Sequence, residues 1–251
     1  MKYNESIAVS TSRVLLVPYD AHHVPQYHTW MEDEAIREAT ASDRLTLQEE
    51  YENQISWRTS ADKLTFILCR PLEPAAAGGT VVAGRDDVPG RMLGDINMFL
   101  TPWDDENEDE GAAPEAKENE GEFVKAEVDV MIAGATDRGK GLGKAAVGAL
   151  LEFVSRNREA ILHEYAASIE EKKNDTSLEI REFVVRIKAS NAGSIALFTG
   201  FGFRQRGEVN YFGEVEMVLP PSAAVEGGKS EVVDGYREAK YDRSGLPTEA
   251  S

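Results

Sequence analysis

Cysteine, histidine and positive charge are what this 251-residue chain has least of: one Cys, four His, and 27 Lys plus Arg against 45 Asp plus Glu. Each shortage removes a class of function. The single Cys69 cannot close an internal disulfide, and at the end of an apolar run it reads as a buried reduced thiol, not a nucleophile. His22, His23, His28 and His163 show no ligand spacing of the H-E-x-x-H kind, so no metal is expected. A formal charge of -18 argues against a nucleic-acid partner, because binding a phosphate backbone needs clustered Lys and Arg. No apolar run approaches the ~18 residues of a membrane span, and no basic start leads into an apolar stretch. No membrane partner is therefore expected, and a cytoplasmic address is.

The negative charge is concentrated. Residues 104–122 carry ten acids against Lys117, a net of -9 and half the total. Such a run repels itself and has nothing to bury, which predicts a solvated, disordered insertion.

What the chain does have is a strand, a glycine turn and a helix between Val128 and Val154. Leu142, Ala145, Ala146, Ala149, Leu150, Phe153 and Val154 recur at i, i+3, i+4, i+7, i+8, i+11 and i+12, one apolar face of a helix. Before it stand Arg138-Gly139-Lys140-Gly141-Leu142-Gly143. Glycines let a backbone turn with φ > 0 and approach a ligand, and the free amides of the helix start face an anion along the positive end of the dipole. Lys140 and Lys144 add cationic charge there.

Three phosphate-binding patterns overlap on this turn. Gly134 to Lys140 satisfies G-x-x-x-x-G-K, but position 141 is Gly where a phosphate loop needs a hydroxyl for magnesium. Gly141 to Ala146 satisfies G-x-G-x-x-A, yet about 20 residues on, where a ribose-binding acid should end a second strand, the chain reads His163-Glu-Tyr-Ala-Ala-Ser-Ile-Glu-Glu-Lys. The third pattern, R/Q-x-x-G-x-G/A, is matched by Arg138, Gly141 and Gly143 and resembles the acetyl-CoA pyrophosphate loop of the GCN5-related N-acetyltransferase (GNAT) superfamily. Asn191-Ala-Gly-Ser194 through Phe201-Gly202-Phe203 resembles a second element of that superfamily, with Asn191 placed to cap a helix. The N-terminal half carries Trp30-Met31, Leu45-Thr46-Leu47, Trp57, Asp62 to Ile67 and Gly94 to Leu100, followed by Ala126 to Ala133. In this order these segments resemble the eukaryotic N-acetyltransferase 9-like family over roughly residues 1–220.

The resemblance implies a single α/β (α+β) domain over 1–220, with a central mixed, mostly antiparallel twisted sheet of about seven strands flanked by helices. Residues 221–251 are expected to form a flexible tail. The patterns predict strands at Arg13–Tyr19, Lys63–Cys69, Arg91–Leu100 and Val124–Ala133, a strand ahead of Asn191, and a hairpin from Phe203 to Leu219. They also predict helices over Val24–Thr40 and Leu47–Arg58. The second of these starts at a capping box, Thr46 with Glu49, and presents Leu47, Tyr51 and Ile55 on one face.

Acetyl transfer from a thioester to an amine needs a base for the amine, donors for the oxyanion, and optionally an acid for the departing thiolate. Glu127 and Asp129 share one face of a strand and are the candidate bases; by resemblance Glu127 fits the Ala-Glu position better. A backbone N–H near Met131 or Ile132, where the strand splays, is the candidate oxyanion donor. The resemblance further implies acetyl-CoA as co-substrate, held by Met131, Ile132, Ala133, Arg138, Gly139, Lys140, Gly141, Leu142, Gly143, Lys144, Asn191 and Phe198. Phe198 stands where many members of the superfamily have a tyrosine acid, and in its place a ring can only pack. The expected acceptor is a protein or peptide amine, N-terminal or lysine, and the family resemblance implies tubulin or microtubules as partners. The rival expectation is a microtubule-associated binding protein on the same scaffold with weak or no catalysis.

Overall fold

The structure, a computed structural model, describes residues 1–73, 79–103, 123–169, 178–221 and 233–246. Along the chain come β1 (Ile7–Ser10), β2 (Leu15–Pro18), α1 (Val24–Met31), α2 (Glu34–Ala39), α3 (Leu47–Thr59), β3 (Lys63–Cys69), β4 (Val81–Val82), β5 (Met92–Pro102), β6 (Phe123–Ile132), α4 (Leu142–Ala167), β7 (Glu179–Lys188), α5 (Ala192–Gly200), β8 (Arg204–Arg206), β9 (Glu214–Leu219) and β10 (Arg237–Asp242). The strands form one mixed, mostly antiparallel sheet in the order β4-β10-β1-β2-β3-β5-β6-β7-β9-β8. Only β6/β7 and β10/β4 run parallel.

Ten strands replace the expected seven or so. The additions are β1, the two-residue β4, and β10, which lies inside the stretch expected to be a loose tail. Its sequence, Arg237-Glu-Ala239-Lys-Tyr241-Asp, alternates along the pleat and buries Ala239 and Tyr241. It pairs antiparallel with β1 in a four-residue register, and Arg243 clamps Asp20 with hydrogen bonds of 2.6 and 3.1 Å. The acidic run 104–122 lies outside the described residues, as do 222–232 and 247–251 of the tail.

The predicted α4 periodicity is realised. Ala146, Ala149, Leu150, Phe153 and Val154 are buried against one face of the sheet, where Phe66, Ile96, Met98, Val124, Ala126 and Val128 meet them. Phe153 packs edge-on to Phe66 with ring centroids 5.3 Å apart. The helix expected over Val24–Thr40 is two, because Asp33 leaves helical geometry and accepts the Ala35 N–H at 2.9 Å as the cap of α2.

The opposite face of the sheet carries α1, α2 and α3. The capping box of α3 forms as read, with Thr46 Oγ1 accepting from Glu49 N and Glu49 accepting from Thr46 N at 2.7 Å. Of its expected apolar face Tyr51 packs inward, but Leu47 and Ile55 are 42% and 56% exposed, while Glu50 and Gln54 are buried. Gln54 Nε2 donates to the Tyr19 carbonyl at 2.8 Å just past β2, and Glu50 Oε1 stands 3.9 Å from His28 Nδ1 on α1. This helix meets main-chain ends and polar side chains, so donors and acceptors are what its inner face needs.

Candidate active site

The site is built where β6 and β7 part. Their parallel ladder runs from Phe123/Glu179 to Glu127/Val184 and stops there, although β6 continues to Ile132 and β7 to Lys188. Past Glu127, β6 stays paired with β5 through Gly94/Ile132, so the opening lies wholly on its β7 side. Ala133 N donates to Leu93 O at 2.9 Å, toward β5. Strand alternation then turns the N–H of Met131 toward β5 and those of Ile132 and Val130 toward the opening.

Gly94 holds this geometry. A Cβ at that position would stand 1.8 Å from the Met131 carbonyl oxygen, a backbone atom that cannot swing aside. On the helix side, the buried Met131 packs with Met31, Ile36 and Ala133.

The glycine turn closes one end of the opening. Gly139 and Gly141 have φ of +73° and +78°, and Gly141 is the left-handed N-cap of α4. No side chain caps this helix start, and its first turn holds no acid, which leaves the initial amides available to an anion. A Cβ on Gly139 would meet nothing within 4 Å, and one on Gly143 would stand 3.0 Å from Leu197 Cδ1 of α5. Arg138 ties the turn to the end of β6, donating from Nε to the Ile132 carbonyl at 2.9 Å and from Nη2 to the Ala133 carbonyl at 3.1 Å. Lys140 Nζ rests 3.5 Å from Asp137, and Lys144 follows in the first turn of α4. A polyphosphate fits this cradle: unspent amides, cations nearby, and glycine where the backbone must turn left-handed.

Across the opening, Asn191 Oδ1 accepts from Ser194 N at 3.1 Å and caps α5 as read from the sequence. Phe198 is buried, edge-on to Phe203 with ring centroids 5.1 Å apart, and belongs to the core. It carries no proton to give.

The two candidate bases differ sharply. Glu127 is bound to Arg186, which also donates to Glu216 at 3.1 Å. The network runs on through Arg206 to Glu216 and Glu182. Asp129, the next residue on that face and the first beyond the ladder, is open to solvent yet crowded by protein. That crowding, with Glu127 and Asp95 nearby, pushes its carboxyl up to about 7, and Arg186 opposes the rise only in part.

A residue not singled out from the sequence joins them. Asp95 on β5, opposite Met131, is 3% exposed and pushed up to about 6 by burial, although hydrogen bonds from Asn97 (3.0 Å) and Tyr27 (3.2 Å) pull it down. Asn97 stands opposite Asp129, and its buried Oδ1 has no donor among the described residues. Only the alternation of β5, with Ile96, Met98 and Leu100 on one face and Asp95 and Asn97 on the other, hinted at this.

The histidines are closer together than their spacing suggested. Among the described residues, His22, His23 and Asp87 bring potential ligand atoms within 4.8 Å of one another. Asp20 N donates to His23 Nδ1 at 3.0 Å, so a neutral His23 keeps its proton on Nε2, which faces Asp87 Oδ2 at 3.2 Å. That nitrogen has no lone pair for a metal. Burial raises Asp87, but hydrogen bonds from His23 and Tyr241, with His22 Nε2 3.2 Å away, outweigh it and hold the carboxyl far below its usual range. The cluster fastens β10 to the start of α1.

Residues 13–204 match the acetyltransferase (GNAT) domain family. The chain belongs to the GNAT acetyltransferases. It is 35% identical over 221 residues to an N-acetyltransferase 9-like protein of Caenorhabditis briggsae, covering 88% of this chain and 89% of the relative. It is 34% identical over 220 residues to the alpha/beta-tubulin-N-acetyltransferase 9 of Drosophila melanogaster, covering 88% and 90%. In fold it is similar to a spermidine N-acetyltransferase from Vibrio cholerae solved with CoA and spermine, with a TM-score of 0.54, 12% identity, and coverage of 86% of this chain and 99% of that one. Among the described residues no helix is long and apolar enough to cross a membrane.

Proposed function

We propose that this GNAT acetyltransferase transfers the acetyl group of acetyl-CoA to a protein amine, with Asp129 as the base. The observation that carries the reading is the contrast on β6: Glu127 is committed to Arg186, while Asp129 is solvent-reached and lies beside the opening, its carboxyl pushed up to about 7 by the protein around it. A base with that value takes a proton near neutral pH without holding it too tightly. The protonated amine meets an acceptor set on the strand floor, Asp129 with Asn97 Oδ1, which has no donor among the described residues.

Acetyl-CoA is held by the amides of Leu142, Gly143 and Lys144 and the charges of Lys140 and Lys144, with Arg138 fixing the turn. The N–H of Ile132 faces the carbonyl that becomes the oxyanion, stabilising it with a dipole set before reaction. With Phe198 in the core, the thiolate takes its proton from solvent. The relative named as an alpha/beta-tubulin acetyltransferase supports tubulin as the acceptor protein.

Calorimetric titration with acetyl-CoA, followed by initial rates on peptides copying tubulin N-termini and lysine segments, tests the reading. Binding tighter than about 1 mM and turnover of one peptide class are expected. Asp129→Asn should lower kcat/KM by about 10²-fold or more while leaving acetyl-CoA affinity unchanged. No cofactor binding, or full activity of Asp129→Asn across the pH range, would refute it.

A further inference from the structure

The acetyl-CoA turn is held by a residue far from it in sequence. Arg13, in the turn between β1 and β2, donates from Nη2 to the carbonyl of Lys140 at 2.6 Å, and the same nitrogen lies 3.5 Å from where a Cβ of Gly141 would be. The carbonyl it binds precedes the left-handed Gly141. A peptide whose oxygen is tied back toward Arg13 points its N–H, that of Gly141, the opposite way. An oxygen left loose could rotate toward the ligand and repel a pyrophosphate.

Arg13 is itself anchored. Thr11 Oγ1 accepts from Arg13 N at 3.2 Å and Val14 N at 3.0 Å, and Ser12 N donates to the Asp234 carbonyl at 2.9 Å. Asp234 leads into β10, and a Cβ on the next residue, Gly235 (φ +70°), would stand 3.3 Å from Ser12 N. Among the described residues Arg13 has no carboxylate partner within ion-pair distance, and its guanidinium lies beside the cradle.

We infer that Arg13 is a positioning residue for acetyl-CoA: it fixes the Lys140–Gly141 peptide, adds positive charge at the pyrophosphate, and depends on the segment before β10 for its own placement. This rests on the acetyl-CoA reading above.

The test uses the full chain and its Arg13→Gln, Arg13→Lys and Gly235→Ala variants, titrated with acetyl-CoA by calorimetry and assayed for KM and kcat. Arg13→Gln should weaken acetyl-CoA binding about tenfold, about 1.4 kcal/mol, and raise the acetyl-CoA KM in step. The acceptor KM and the saturated kcat should stay within about twofold. Arg13→Lys should recover part of the affinity, since an ammonium keeps the charge and a donor but not the fork. Gly235→Ala, which touches neither turn nor ligand, should weaken binding in the same direction by displacing Ser12. Unchanged affinity in Arg13→Gln overturns the inference. So does a loss with no recovery in Arg13→Lys that raises both KM values equally and lowers the melting temperature in parallel, because Arg13 would then be structural only. If the wild type fails to bind acetyl-CoA, the functional reading falls first and this inference with it.

Discussion

Asp95 is a carboxylic acid buried without a cationic partner among the described residues, and its cost can be worked out. The group moves from an ordinary value near 3.8 in the unfolded chain to about 6 in the fold. Below pH 4 both states are protonated and the residue costs nothing. As pH rises from 4 to 6 the unfolded chain releases its proton while the folded one keeps it, so stability falls. Above 6 the loss levels off at about 3 kcal/mol, at about 1.4 kcal/mol per pH unit between the two values. Asp95→Asn removes the charge and keeps an oxygen to accept from Tyr27. The variant should therefore be more stable than the wild type by up to about 3 kcal/mol at pH 8 and by about half that at pH 5. Urea unfolding followed by far-ultraviolet circular dichroism at both values measures it. A variant less stable at pH 8, or a gain that does not shrink on acidification, would refute the reasoning.

Gly94→Ala forces a Cβ onto the Met131 carbonyl at 1.8 Å and should destabilise the fold by about 3 kcal/mol, seen as a lower urea midpoint with an unchanged slope; an unaltered midpoint would mean that β5 and β6 are not so closely apposed. Glu127→Gln should cost much less turnover than Asp129→Asn. Because the Glu127 charge helps raise Asp129, it should also move the acidic limb of the kcat/KM profile below pH 7; a limb that stays put would detach Asp129 from that profile.

The strands legible in the sequence are those whose apolar residues face a large core, such as Lys63–Cys69 and the strand expected at Arg91–Leu100 and found at Met92–Pro102. The glycine turn and the Asn191 cap were legible because backbone conformation and helix capping constrain residue type locally. β10 was missed because it buries only Ala239 and Tyr241 between charged residues, against an edge that the sequence does not display. Leu47 and Ile55 misled because helical spacing shows that a stripe exists and not which neighbour it meets; on α3 the polar stripe won. At the site, the Glu127 and Asp129 pattern was visible, but not the partner that separates them. Arg186 lies 59 residues from Glu127, and only the sheet brings it there. Asp95 escaped for the same reason, its significance arising from Tyr27 and Met131 across the fold.

The pairing of β1 with β10 has a consequence for biosynthesis. β1 leaves the ribosome long before β10, and the register joins Ile7 to Lys240. Throughout elongation the outer hydrogen-bonding groups of β1 lack the strand that later covers them, while β2, β3 and β5 can already assemble beside it. Closing so long a loop is slow, and an open strand edge on a nascent chain invites pairing with other chains. If Arg13 depends on the segment leading into β10, the acetyl-CoA cradle matures only once that segment is made, and a chain stalled or clipped before residue 234 would carry every residue of the glycine turn and still bind its cofactor poorly.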